Sequence, residues 1–128
     1  MTVLLIGGRG QGKRALAEKL FHLSATDFLD GATGSVAALS ETAAVNRLHL
    51  LTRRMLAEGN APNSLLPLLQ GKIILCDELG SGVVPMEHEL DEWRETTGRL
   101  CCELAEQADL VIRVTAGLPQ VLKGTLPD

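Results

Sequence analysis

Aromatic side chains are nearly missing from this chain. There is no tyrosine, one tryptophan (Trp93) and two phenylalanines (Phe21 and Phe28). A surface that grips nucleic acid by stacking on bases is thereby excluded. A net charge of -4 also has the wrong sign for a broad hold on a phosphate backbone. Long apolar runs are missing too, so nothing approaches the roughly 18 residues of a membrane span. Residues Met1 to Gly8 carry neither a basic leader nor a small-residue cleavage site, so no secretory signal is expected and the cytoplasm is the expected compartment. The three cysteines, Cys76, Cys101 and Cys102, are odd in number and two are adjacent. They form no disulfide framework and no metal-ligand spacing, and they suit a reducing compartment as small apolar side chains.

What remains is ordinary globular material. Apolar residues make up 45% of the 128 and charged residues 22%, which excludes a disordered tail. The length allows one domain, residues 1–128, without repeats or linkers. Three apolar runs read as buried strands: Thr2 to Ile6, Lys72 to Cys76 and Asp109 to Thr115. Helices are expected over Lys13 to Leu23, from Ser40 to just before Gly59, over Pro62 to Gln70, and from Met86 to Gln107 after Pro85. Gly98 interrupts the last of these and suggests a close packing contact. Asp27 to Asp30 is a weak strand or turn. Ala116-Gly117-Leu118-Pro119 turns the chain into a loose end. Strands alternating with helices predict an α/β fold, a mostly parallel sheet covered on both faces.

Two places carry chemistry. Gly7-Gly8-Arg9-Gly10-Gln11-Gly12-Lys13 fits G-x-x-x-x-G-K between a strand and a helix. Glycines let successive N–H groups converge, and the helix start adds its positive end, so the loop suits a phosphate. Lys13 would reach the β- and γ-phosphates. Arg14 stands where such loops carry Ser or Thr as a Mg²⁺ ligand, and arginine has no acceptor. The second place is KIILCDE, where a hydrophobic strand delivers Asp77 and Glu78 at its C-terminal end, the end at which ligands gather in parallel sheets. His22, His49 and His88 have no triad neighbours and read as surface or helix-face histidines. Arg53-Arg54 reads as a solvated helix end.

The run Leu75-Cys76-Asp77-Glu78-Leu79-Gly80-Ser81-Gly82-Val83-Val84-Pro85, with Trp93-Arg94-Glu95, Gly98-Arg99-Leu100, Ala108-Asp109, Ala116-Gly117-Leu118-Pro119 and Leu122-Lys123, resembles the adenosylcobinamide kinase / adenosylcobinamide-phosphate guanylyltransferase family. That family's pattern is N-E-V-G-x-G-[IV]-V-P, F-R-D-x-x-G-R-x-N-Q, A-D-x-V and A-G-L-P-x-x-L-K, with a loop G-G-x-R-S-G-K-S. The resemblance implies a P-loop kinase-like fold in a cytoplasmic cobalamin-assembly enzyme, often a homotrimer. It further implies ATP or GTP with Mg²⁺ as cofactors, phosphoryl transfer to the cobinamide hydroxyl, and a corrinoid as the small-molecule partner. Lys13, Asp77 and Glu78 would be catalytic and residues Gly7 to Arg14 would bind nucleotide. Gly80, Gly82, Arg94 and Arg99 would bind substrate. Asp77 would meet the metal, and so would Asp30 if Phe28 to Thr33 matches the family's D-C-L-T. Asp77 replaces the family's Asn, and Cys101-Cys102 replaces its Asn-Gln. The segment that carries the family's guanylylated histidine has no counterpart, which implies a shortened member whose guanylyltransferase half is in question. Two other readings stand beside it: a degenerate nucleotide- or corrinoid-binding regulator or assembly protein, and a P-loop kinase for an unrelated small molecule.

Overall fold

A computed structural model of the chain describes residues 1–79 and 88–128, without the side chains of residues 88 and 89. The strands are β1 (Val3–Gly7), β2 (Phe28–Asp30), β3 (Ala44–Asn46), β4 (Ile73–Asp77), β5 (Leu110–Thr115) and β6 (Leu118–Lys123). The α-helices are α1 (Lys13–Phe21), α2 (Leu48–Ala57) and α3 (His88–Gln107). The strands form one sheet in the order β2-β3-β4-β1-β5-β6, parallel except for β6. This is the expected α/β architecture, P-loop NTPase-like.

The alternating side chains of β1 explain the two layers. Leu4 faces a core shared with Val45, Ile74 and Val111, which α2, the 3₁₀ segment Pro62–Leu69 and α3 cover through Leu48, Leu51, Leu65, Leu69, Leu100 and Leu104. Val3 and Leu5 face the other way, with Leu75, Ile112 and Val114, against α1 through Ala17, Leu16 and Leu20. Burying each such Leu or Ile contributes on the order of 1.5–3 kcal/mol, enough to hold short strands in register. Among the described residues no helix is long and apolar enough to cross a membrane.

Three expectations are corrected. The long helix expected from Ser40 is instead a 3₁₀ segment (Val36–Glu41), strand β3, and then α2. Val45 lies three residues before Leu48 and so mimics a helical stripe. In fact Ala44 and Val45 are fully buried between β2 and β4, and the chain turns at Arg47 with φ 56°. The supposedly loose end is strand β6, joined to β5 by the two-residue turn Ala116-Gly117, both at positive φ. Pro119 is tolerated because β6 is an edge strand. Gly98 meets no close packing contact among the described residues, since a Cβ there would have none of them within 4 Å. The expected helix start at Pro85 and the glycines Gly80 and Gly82 lie outside the described residues.

Cys76 is fully buried in β4, and Cys101 approaches it from α3. The hydrogen bond it shares with Cys101, together with burial, pushes the Cys76 thiol well above its ordinary range.

Candidate functional site

The loop after β1 is shaped by its neighbours. Gly7 has no room for a side chain, because a Cβ would lie 2.5 Å from the Val114 carbonyl oxygen. Gly12 adopts φ 89° and opens α1, and its Cβ would meet Gly117 Cα at 3.3 Å. The turn between β5 and β6 clasps the loop. The Ala116 N–H donates to Gln11 Oε1 at 2.7 Å, and the Gly117 N–H donates to the Gln11 carbonyl at 2.8 Å. The first N–H groups of α1 have no acceptor within the helix and carry its positive dipole end.

Lys13 folds back over the strand ends and is 7% exposed. Its ammonium donates to the carbonyls of Gly7 at 3.1 Å and Gly8 at 2.9 Å, and meets Asp77 Oδ1 at 2.7 Å. All three ammonium hydrogens therefore have acceptors. Asp77 is the hinge of the site, because its other oxygen lies 3.4 Å from His49 Nε2. The Asp77 N–H donates to His49 Nδ1 at 3.1 Å, so the neutral ring carries its proton on Nε2, facing the carboxylate. Burial holds His49 below its ordinary value of 6.5, against the opposing pull of the Asp77 charge.

His49 is the residue that sequence reasoning missed. It is 6% exposed, not a surface histidine. Its carbonyl accepts from Trp93 Nε1 at 2.7 Å and Thr52 Oγ1 at 2.9 Å, and Thr52 pairs with Thr97 at 2.7 Å. These bonds lock the start of α2 to α3. The available signal was position: His49 sits in the first turn of a helix that follows a parallel strand, as Lys13 does. Of the two helix-end arginines, Arg54 is not solvated as expected but donates to the carbonyls of Gly31 and Gly34, at 3.0 and 2.7 Å. Arg53 is exposed and lies 5.0 Å over the Trp93 ring.

The ends of β1, β3 and β4 enclose a cavity of about 650 Å³. Among the described residues its wall carries five cations, Arg9, Lys13, Arg14, Arg47 and Arg53, against two acids, Asp77 and Glu78, with His49 and Trp93 beside them. Such a wall favours a multiply charged anion. Not every sequence-predicted residue lines this cavity, and two that do, Arg14 and Glu78, are engaged with other partners. Arg14 points its Nε to Glu18 at 3.1 Å and lies 5.1 Å over the Phe28 ring. Glu78 meets Arg113 at 2.9 Å. Asp30 is held by the Nε and Nη2 of Arg47, whose hydrogen bond keeps its carboxyl below the usual range. Arg94 lies half-buried on α3. Arg99 pairs with Glu95 on the surface and lines a separate cavity of about 540 Å³ beyond the end of α2.

Among the described residues no group of three or more His, Cys, Asp or Glu side chains is placed to hold a metal. A Mg²⁺ that arrives on nucleotide phosphates needs only one or two carboxylates; the two in the cavity wall, Asp77 and Glu78, are paired with Lys13 and Arg113.

No curated protein matches the chain at a significant level. The family described as cobinamide kinase / cobinamide phosphate guanyltransferase matches residues 46–122. The match runs from the end of β3 to β6 and so takes in His49, Asp77, Glu78 and Trp93, while the glycine loop lies before it. It spans more than half of the 128 residues, and the chain belongs to this cobinamide kinase / cobinamide phosphate guanyltransferase family.

Proposed function

We propose that the chain binds ATP or GTP with Mg²⁺ in the cavity at the strand ends and transfers a phosphoryl group to the hydroxyl of a cobinamide-type corrinoid. The observation that carries this reading is the cavity wall itself. Among the described residues five cations face two acids at the C-terminal ends of three parallel strands, beside the N-terminus of α1. The amides of Gly8 to Gly12 and the Lys13 ammonium would stabilise charge on the transferred group, a reaction governed by positioning and electrostatics. When bound, Mg²⁺ supplies charge neutralisation between the β- and γ-phosphates. Asp77 and Glu78 would hold it through water or accept the proton of the attacking hydroxyl. Asp30 would join them only after releasing Arg47. Arg94, Arg99, Gly80 and Gly82 are assigned to the corrinoid by resemblance.

Trp93 is the sole tryptophan and lines the cavity, so its fluorescence reports occupancy. Titration with ATP or GTP and Mg²⁺ is expected to change it saturably, and labelled γ-phosphate is expected to appear on cobinamide. An unchanged signal at millimolar nucleotide overturns the proposal. GTP alone is expected to leave no guanylyl adduct on His49, because both ring nitrogens are engaged with Asp77.

A second reading, binding without transfer, is favoured by one observation. Arg14 occupies the metal-ligand position and is engaged with Glu18 and Phe28. Nucleotide binding with no labelled product would select it.

A further inference from the structure

The three thiols fall into two kinds. Cys102 is exposed, while Cys76 and Cys101 are a pair. Cys76 is wholly buried on β4, one residue before Asp77, and Cys101 reaches it from α3 with its sulfur 3.6 Å away. Cys101 also borders a cavity of about 220 Å³, shared with Ile6, Leu79, Thr97, Asp77 and Glu78. One sulfur is therefore reachable and the other shielded behind it. A single buried cysteine fills space; a reachable thiol backed by a second in contact is the arrangement of an attacking and a resolving thiol. Bonding needs the sulfurs to close from 3.6 Å to about 2.05 Å. Cys102 is turned about 100° around the helix from Cys101 and leaves the pair alone.

We propose that Cys76 and Cys101 are a modification site that forms a reversible disulfide with a small neutral peroxide, stapling β4 to α3 beside Asp77. The cavity selects the oxidant. Its volume suits a two-oxygen molecule, and the Asp77 and Glu78 carboxylates disfavour an anionic disulfide such as oxidised glutathione. The Cys101 sulfur attacks one oxygen of hydrogen peroxide and the O–O bond breaks. The departing oxygen takes the thiol proton and leaves as water, so Cys101 becomes a sulfenic acid. The Cys76 sulfur then attacks the Cys101 sulfur and the S–O bond breaks. That oxygen leaves as a second water with the Cys76 proton. Two thiols lose two electrons and one peroxide gains them. The bond spans 25 positions of chain that include both candidate catalytic acids. The family pattern has Asn-Gln at 101 and 102, so the device belongs to this chain and not to the family.

The test uses the full chain and hydrogen peroxide. Titratable thiols are expected to fall from three to one, non-reducing peptide maps to join the segments holding Cys76 and Cys101, and dithiothreitol to restore all three. Cys102→Ser is expected to form the same bond. Cys101→Ser is expected to slow loss of the Cys76 thiol by roughly tenfold or more. The oxidised form is expected to melt at a higher temperature, because the cross-link restricts the unfolded chain. A sulfinic acid on Cys101 with Cys76 still free, a Cys101–Cys102 link, or a bond between chains would each overturn the proposal. Circular dichroism of each variant shows that the fold is present when the thiols are counted.

Discussion

Two of the cavities bordered by the described residues are similar in size, about 650 Å³ and 540 Å³, and they differ in almost everything else. The first lies where β1, β3 and β4 end and α1 begins. The second lies between the end of α2, the 3₁₀ segment and α3. Among the described residues the first has five cations against two acids, whereas the second has one cation, Arg99, against Glu92 and Glu103. In the first, Lys13, Asp77 and His49 hold one another through bonds that cross the sheet. In the second, Arg99 has an exposed partner one helical turn away. Volume does not distinguish a site from a surface dent; charge excess and strand ends do.

That contrast can be broken in order of effect. Lys13→Ala is expected to weaken ATP or GTP binding by roughly 10- to 100-fold, the worth of a hydrogen bond to an ionised group. Trp93 fluorescence checks this, with a thermal melt to confirm folding. Arg14→Ser restores a hydroxyl for the metal and is expected to raise Mg²⁺-dependent phosphoryl transfer by about tenfold, measured with labelled nucleotide.

His49 gives a pH signature in the nucleotide- and metal-free protein. The unfolded chain takes up a proton near 6.5 that the folded chain refuses, because burial lowers the folded value. Stability is therefore present above that pH and lost as pH falls through it, with a slope no steeper than about 1.4 kcal/mol per unit for one proton. Urea melts at several pH values check this, and His49→Asn is expected to flatten the slope. The smallest effect is at the other cavity. Arg99→Ala is expected to leave nucleotide affinity unchanged and to move stability by less than about 0.5 kcal/mol.

Most of the first cavity was readable from local pattern. β1, the glycine loop and α1 are continuous in sequence, and each carries its own signal: an apolar run, glycines where φ is positive, then a helical stripe. β4 with Asp77 was readable for the same reason. β3 was not, because three residues pair only by virtue of β2 and β4 on either side, and Val45 continues the helical spacing of α2. β6 is exposed throughout, so no burial pattern announces it. The role of His49 depends on Trp93, 44 positions away, and on Asp77, 28 positions away, and no local pattern encodes such distances.

The clasp between Gln11 and the Ala116-Gly117 turn has a consequence for synthesis. The glycine loop is braced by a turn 105 positions downstream. A nascent chain leaves the ribosome at roughly 5–20 residues per second, so β1 and α1 are exposed for several seconds before their brace exists. The glycine loop is thus completed only when a segment made long after its own glycines has folded against it.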